Sequence, residues 1–228
     1  MSWLAPGGLA AALAVGAAVA WGFGWHGLVV LFAFFVSGSL LTQVAERRAP
    51  RRTARQVIAN GGVAAVAALL GAWWVATGAL AAAAADTWAT ELGAFSPFAP
   101  RLITTGARVS RGASGGITAL GTLGGVAGAA LIAGLTAALA PRGRAPGFAI
   151  VAAAGVAGML ADSVLGATLQ GKYECPACDA RFERGSTVCH EPVRLASGWR
   201  WLDNDGVNLA ATLVGAAAAM LGSHGSAP

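Results

Sequence analysis

Apolar runs of about twenty residues, separated by short polar segments, cover almost the whole chain. Each is close to the length a helix needs to cross a bilayer. The pattern predicts seven spans, at roughly 3–22, 27–45, 56–72, 75–93, 115–139, 147–169 and 206–222. The stretch 57–85 fits either one long helix or a helical hairpin turning within Trp73-Trp74-Val75-Ala76-Thr77-Gly78. Charge separates the two readings. A hairpin puts thirteen basic residues on one side (Arg47, Arg48, Arg51, Arg52, Arg55, Arg101, Arg108, Arg111, Lys172, Arg181, Arg184, Arg194 and Arg200), against Arg142 and Arg144 on the other. A single helix gives seven against eight. The positive-inside rule selects the hairpin, with the N-terminus cytoplasmic and the C-terminus outside. Trp21, Trp25, Trp73 and Trp74 then fall at the outer boundary, and Trp199 and Trp201 at the inner one, where interfacial tryptophans concentrate.

Composition agrees with that reading. The chain is 56% hydrophobic and 11% charged, where soluble domains carry about a quarter charged residues. The fold class expected is an all-α, polytopic membrane bundle, a single domain over residues 1–228, in the cell membrane. No basic region precedes the first apolar run, which predicts that no signal peptide is cleaved. The net charge of +5 is explained by cytoplasmic loops beside anionic lipid, so no nucleic-acid partner is expected. Glycine-rich helix faces would allow a homodimer.

Against this background the acids stand out. Asp86 follows five alanines inside the fourth span, and Asp162 lies inside the sixth. Ionised groups at membrane depth are costly, and they usually face an interior or a wet cavity where they have a function. Asp86 is about seven residues from the inner end of its span, so about 10 Å deep at 1.5 Å per residue. Asp203-Asn204-Asp205 stands at the inner mouth of the seventh span, and Asn60-Gly61-Gly62 just inside the third. Asp86, Asp162, Asp203 and Asp205 offer hard oxygen ligands suited to Mg²⁺, which binds one or two carboxylates together with substrate phosphates. The competing reading is that Asp86 and Asp162 only bond neighbouring helices and fix their packing.

The loop from Pro100 to Gly116 carries Arg101, Arg108 and Arg111 among glycines and Ser/Thr hydroxyls. Ser114 is expected to cap the fifth span, with Gly115 and Gly116 letting backbone approach a ligand. Helix N-termini attract anions and arginine binds phosphate in a bidentate manner. The alternative is an ordinary basic loop with turn glycines. All three cysteines lie in the loop 170–200, as Cys175-Pro176-Ala177-Cys178 and Cys189-His190. In a reducing compartment that donor set suggests a zinc-knuckle-like insertion held by Cys175, Cys178, Cys189 and His190. The adjacency of Cys189 and His190 is the feature that strains tetrahedral ligation, and the competing reading is a degenerate knuckle that holds no metal. His26 and His224 are assigned no role.

Gln56-Val57-x-x-Asn60-Gly61-Gly62, Ala85-Asp86-Thr87-Trp88-Ala89-Thr90-Glu91-Leu92-Gly93, Pro100-Arg101-Leu102-Ile103-Thr104-Thr105-Gly106, Gly112-x-x-Gly115-Gly116, Asp162-Ser163-x-x-Gly166-Ala167-x-x-Gln170 and Trp201-Leu202-Asp203-Asn204-Asp205-Gly206-Val207-Asn208 form a recognisable set. Over about residues 27–222 the chain resembles the integral membrane family that contains plant phytyl-phosphate kinase and animal transmembrane protein 19. The resemblance implies transfer of a phosphoryl group from a nucleoside triphosphate, CTP by expectation, to a prenyl monophosphate. Asp86, Asp162, Asp203, Asp205 and Arg101 would be the catalytic set, the four acids holding Mg²⁺. Asn60, Glu91, Thr104, Thr105, Arg108, Ser114, Gly115, Gly116, Asn204 and Asn208 would contact substrate or nucleotide. The chain departs from the family at Cys189-His190, where similar proteins tend to show His-x-Cys. Other readings are cytidylyl transfer to a lipid phosphate, a transporter using Asp86 and Asp162, and a scaffold recruiting partners through the loop 170–200.

Overall fold

The computed structural model describes residues 3–45, 50–140, 147–178, 180–183, 185, 187 and 189–224. Arg47, Arg48, Arg142, Arg144 and Arg184, which enter the charge comparison, lie outside the described residues, as does the side chain of His224. Six helices account for most of the chain: α1 (Pro6–Ala45), α2 (Ala54–Leu69), α3 (Trp73–Gly93), α4 (Ala119–Leu139), α5 (Phe148–Thr168) and α6 (Asn204–His224). α1, α4, α5 and α6 are long and apolar enough to cross a membrane.

A straight helix of 40 residues would extend about 60 Å. Yet the Trp3 and Phe35 rings meet at 5.6 Å. The chain turns back at Gly24, whose φ of 60° and ψ of −147° are accessible to glycine and strained for other residues. α1 is therefore a helical hairpin, and the six helices make about seven arms. The second hairpin turns at Leu70-Gly71-Ala72, with Gly71 at φ 69°. This lies ahead of the Trp73–Gly78 turn expected from the sequence. Those residues instead open α3, and the Trp73 ring is buried edge-on against Phe23. The fifth span also starts later than expected, at Ala119, and the seventh slightly earlier, at Asn204.

α3 runs through the middle, packed against all five other helices. Ala76 to Ala85 are buried without a break, because alanine lets neighbouring backbones come close. A Cβ on Gly158 of α5 would sit 2.3 Å from the Ala82 Cβ. One on Gly215 of α6 would meet the same methyl at 2.6 Å. An all-round apolar face marks a helix enclosed by others, which accounts for an alanine run where lipid contact would favour larger side chains.

The ends of the helices sort cleanly. Gly22 abuts Ala68 and Phe23 meets Trp73 at one end. At the other, Arg52 bridges to Leu4, Thr42 bonds Glu91 and Arg55 pairs with Asp203. Every described lysine and arginine lies at this second, basic end. Its loops fold into two small sheets absent from the all-α expectation. β1 (Arg101–Leu102) pairs with β2 (Gly116–Ile117), and β3 (Lys172–Glu174) lies between β4 (Arg181–Phe182) and β5 (Arg194–Ser197), all antiparallel.

Candidate functional site

Asp86 is seven residues before the end of α3, and Asp162 six before the end of α5. Because α3 and α5 pack side by side, the two carboxyls come into hydrogen-bonding contact. Oδ2 of Asp162 is buried without a partner. Two acids in contact must share a proton or a cation, since both cannot hold full charge side by side. They border a cavity of about 490 Å³ that opens at the basic end. Its wall includes Thr90 and Glu91 of α3, Ser163 of α5, the loop Arg111–Thr118, Gln170, Glu183 and Asn204. The Nε2 of Gln170 is a second buried polar atom without a partner. A carboxylate oxygen and an amide donor both unsatisfied at one cavity suit a polar ligand, because leaving either group dry costs about 1–3 kcal/mol.

Of the residues singled out in the sequence, Asp86, Asp162, Glu91, Ser114, Gly115, Gly116 and Asn204 line this cavity. Others do not. Asp203 bonds the Gly206 amide at 3.1 Å and so caps α6. It also pairs with Arg55 at 2.7 Å, while Asp205 lies 3.6 Å from the same guanidinium. Asn60 donates to the Gln56 carbonyl in its own helix. Arg101 donates to the Gly106 carbonyl at 2.8 Å, tying its own loop. Thr104, Thr105 and Arg108 are exposed in that loop, and Asn208 is on α6 away from the lining.

One expectation about the loop is corrected. Thr118 caps α4, its hydroxyl accepting from the Gly121 amide at 3.0 Å. Ser114 instead donates to the carboxylate of Glu183. Glycine at 115 serves packing, for a Cβ there would lie 2.5 Å from that of Ala167. The Gly116 amide donates to the Ala113 carbonyl at 3.0 Å, so it is already used. The basic group the structure does bring to the cavity is Arg111, which donates to the Ala94 and Ser96 carbonyls at the end of α3. Gln170 stood in a quoted motif without an assigned role. Glu183 carried no sequence signal, being one acid in a polar loop.

Below Glu91, Thr42 donates to its carboxylate at 2.6 Å, and the Arg52 guanidinium stacks on Phe35 at 5.8 Å. Burial pulls the pKa of Arg52 down and the charge of Glu91 pushes it back up.

The second cluster is Cys175, Cys178, Cys189 and His190, one donor atom from each within 4.8 Å of the others. Cys178 Sγ is 3.7 Å from Cys189 Sγ, and Cys189 Sγ is 3.3 Å from His190 Nδ1. Adjacency of Cys189 and His190 thus does not keep their donors from converging. The Cys175 thiol is pulled down to about 6, chiefly by the backbone hydrogen bond from Glu191, with burial opposing. A low thiol pKa favours the thiolate that metals bind. The four residues could hold a metal ion.

The family model described as integral membrane protein DUF92 matches residues 1–216. The chain belongs to this family. It is 36% identical to the uncharacterised membrane protein MJ0933 of Methanocaldococcus jannaschii, over 84% of this chain and 74% of that one. It is 32% identical to Protein PGR of Arabidopsis thaliana, over 81% of this chain and 77% of the relative. Protein VTE6, chloroplastic, also of Arabidopsis thaliana, is 26% identical, over 96% of this chain and 65% of its own length. No solved structure matches. As a DUF92 member the chain is a multi-pass membrane protein, in line with its four apolar helices.

Proposed function

We propose that this protein is a membrane-embedded prenyl monophosphate kinase that uses a nucleoside triphosphate, CTP by preference. The carrying observation is the Asp86–Asp162 contact with its unpartnered Oδ2, set at a cavity between α3, α5 and the loop Arg111–Thr118. Membership in the family that the sequence resembles, which contains a phytyl-phosphate kinase, gives that cavity a reaction class. The basic end would face the cytoplasm of the cell, where the nucleotide is.

The orphaned oxygen and the all-oxygen donor set fit Mg²⁺, which Asp86 and Asp162 would hold. When bound it would supply positive charge that offsets the charge on nucleotide phosphates. The remaining chemistry falls to the chain. Phosphoryl transfer asks mainly for positioning and electrostatic support. An oxygen of the prenyl monophosphate attacks the γ-phosphorus, the bond to the β-phosphate oxygen breaks, and CDP leaves with that electron pair. The acceptor is already anionic, so no base need remove a proton. Gln170 and Asn204 amides would orient phosphate oxygens, and Arg111 would offer the N–H groups it does not spend on α3. The prenyl tail would lie in lipid or against the alanine- and glycine-rich helices.

For the second cluster we propose zinc. Bonds of about 2.3 Å in a tetrahedron put two sulfurs roughly 3.8 Å apart, close to the 3.7 Å between Cys178 and Cys189.

The test is product analysis with purified protein, CTP, Mg²⁺ and prenyl phosphates of several lengths. CDP and a prenyl diphosphate are expected. Pyrophosphate release would instead mean cytidylyl transfer. Asp86→Asn should lower turnover at least about 100-fold, more than is usual for changing a group behind a metal ligand. Undiminished turnover would remove the acid pair from the mechanism.

A further inference from the structure

Glu183 joins the two clusters. It directly follows β4, and its carboxylate accepts a hydrogen bond from Ser114 on the opposite wall of the cavity. β4 is only Arg181–Phe182, paired to β3 at Tyr173 and Glu174. Two residues of pairing on an edge strand cannot hold a segment in register by themselves. The tip of the same hairpin is Cys175–Cys178, closed by the Cys175 amide on the Ala180 carbonyl at 2.9 Å. Cys189 and His190 follow six and seven positions after Glu183. Glu183 is therefore flanked in the chain by the donors of one cluster. The loop around it buries little: Tyr173, Cys175 and Leu202 are its buried apolar residues among those described. Units this small usually need a metal or disulfide to stay folded.

We propose that a metal ion on Cys175, Cys178, Cys189 and His190 clasps the β3–β4 hairpin, and so holds Glu183 against Ser114 across the rim of the acidic cavity. Glu183 is then a positioning residue: it fixes the loop Arg111–Thr118 that forms one cavity wall. Metal loading in the soluble loop becomes a condition for an ordered membrane cavity. This rests on reading the cavity as the ligand site, but the clasp itself can be tested without turnover.

The experiment uses the full chain in detergent micelles, with zinc measured by elemental analysis and amide hydrogen exchange followed by mass spectrometry. About one zinc per chain is expected. Stripping it with a zinc chelator should speed exchange about tenfold in 181–183 and in 112–117, the loss of one charge-assisted hydrogen bond, and added zinc should restore both. In Ser114→Ala, with zinc still bound, 112–117 should already exchange fast while 181–183 stays protected. Stripping should then leave 112–117 unchanged. Glu183→Gln keeps an acceptor oxygen but gives up the charge, so 112–117 should exchange about threefold faster than in the parent and still respond to stripping. The proposal is overturned if the chain neither holds nor takes up zinc, or if stripping leaves 112–117 unaffected. It is equally overturned if Ser114→Ala responds like the parent, or if stripping speeds all helices alike. The expected exchange pattern with no turnover on any prenyl phosphate would keep the clasp and reject the kinase.

Discussion

Asp162→Asn should make the protein more stable and less able to bind magnesium. Asparagine keeps the shape of the side chain, removes one of two acids in contact, and brings an amide that can donate to Asp86. The substitution leaves a single acid at a buried site where two now meet. Removing the burial cost of one such polar group is worth about 1–3 kcal/mol. For a chain of this size each kcal/mol moves the midpoint by about 2–4 °C, so a central value of about 2 kcal/mol gives a rise of roughly 4–8 °C without magnesium. In the parent, magnesium at a hundred times its Kd should add about 2.7 kcal/mol, and the variant should lose that gain. The two melting curves should therefore change order when magnesium is added. Tryptophan fluorescence can follow the melt, since the chain has eight tryptophans. Magnesium should be omitted, not chelated, so that the cysteine cluster keeps its metal. A variant that melts below the parent without magnesium, and still gains from magnesium, would refute the shared-cation account of this pair.

Gly24→Ala should cost about 1–3 kcal/mol from backbone strain alone, because nothing lies within 4 Å of the added methyl. Gly16→Ala, equally free of neighbours but helical, should gain about 0.5–1 kcal/mol; equal effects in thermal melts would argue against the reversal at Gly24. Gly158→Val should cost at least about 1–3 kcal/mol by overpacking against Ala82, read as a lower midpoint, and an unchanged midpoint would mean the α3–α5 contact is looser than described. Asp203→Ala should lower stability by about 0.5–2 kcal/mol through loss of the α6 cap, whereas Arg55→Ala should change it by about 1 kcal/mol or less, its ion pairs being exposed. A large loss on Arg55→Ala would show that this pair does more than hold the surface.

Part of the architecture is written in local patterns that need no partner. Apolar runs of bilayer length, ended by arginines, fix where helices can cross, and the charge comparison required a reversal between α2 and α3 that the chain makes. Its position escaped, since the stretch from Leu70 to Gly78 holds two glycines, Gly71 and Gly78, and either suits a turn. The closest packing decides, and burying Trp73 against Phe23 draws the turn back to Gly71. Asp86 and Asp162 were legible as acids in unsuitable surroundings, because their cost is a property of each helix alone. Gln170 and Glu183 were not, since a polar residue in a polar loop costs nothing until the fold lays it against a cavity. The Asp203-Asn204-Asp205 motif shows the same division. Sequence placed all three at the mouth of α6, but Asp203 caps the helix from outside it, and Asn204 and Asp205 open its first turn about 100° apart. The fold therefore gives Asn204 to the cavity and leaves both aspartates with Arg55. What the sequence alone determined is the set of helices, their basic end and two costly acids. Which groups meet at those acids was decided by the approach of α5 to α3 and by a cysteine-bearing hairpin, contacts between residues too far apart in the chain for any local pattern to encode.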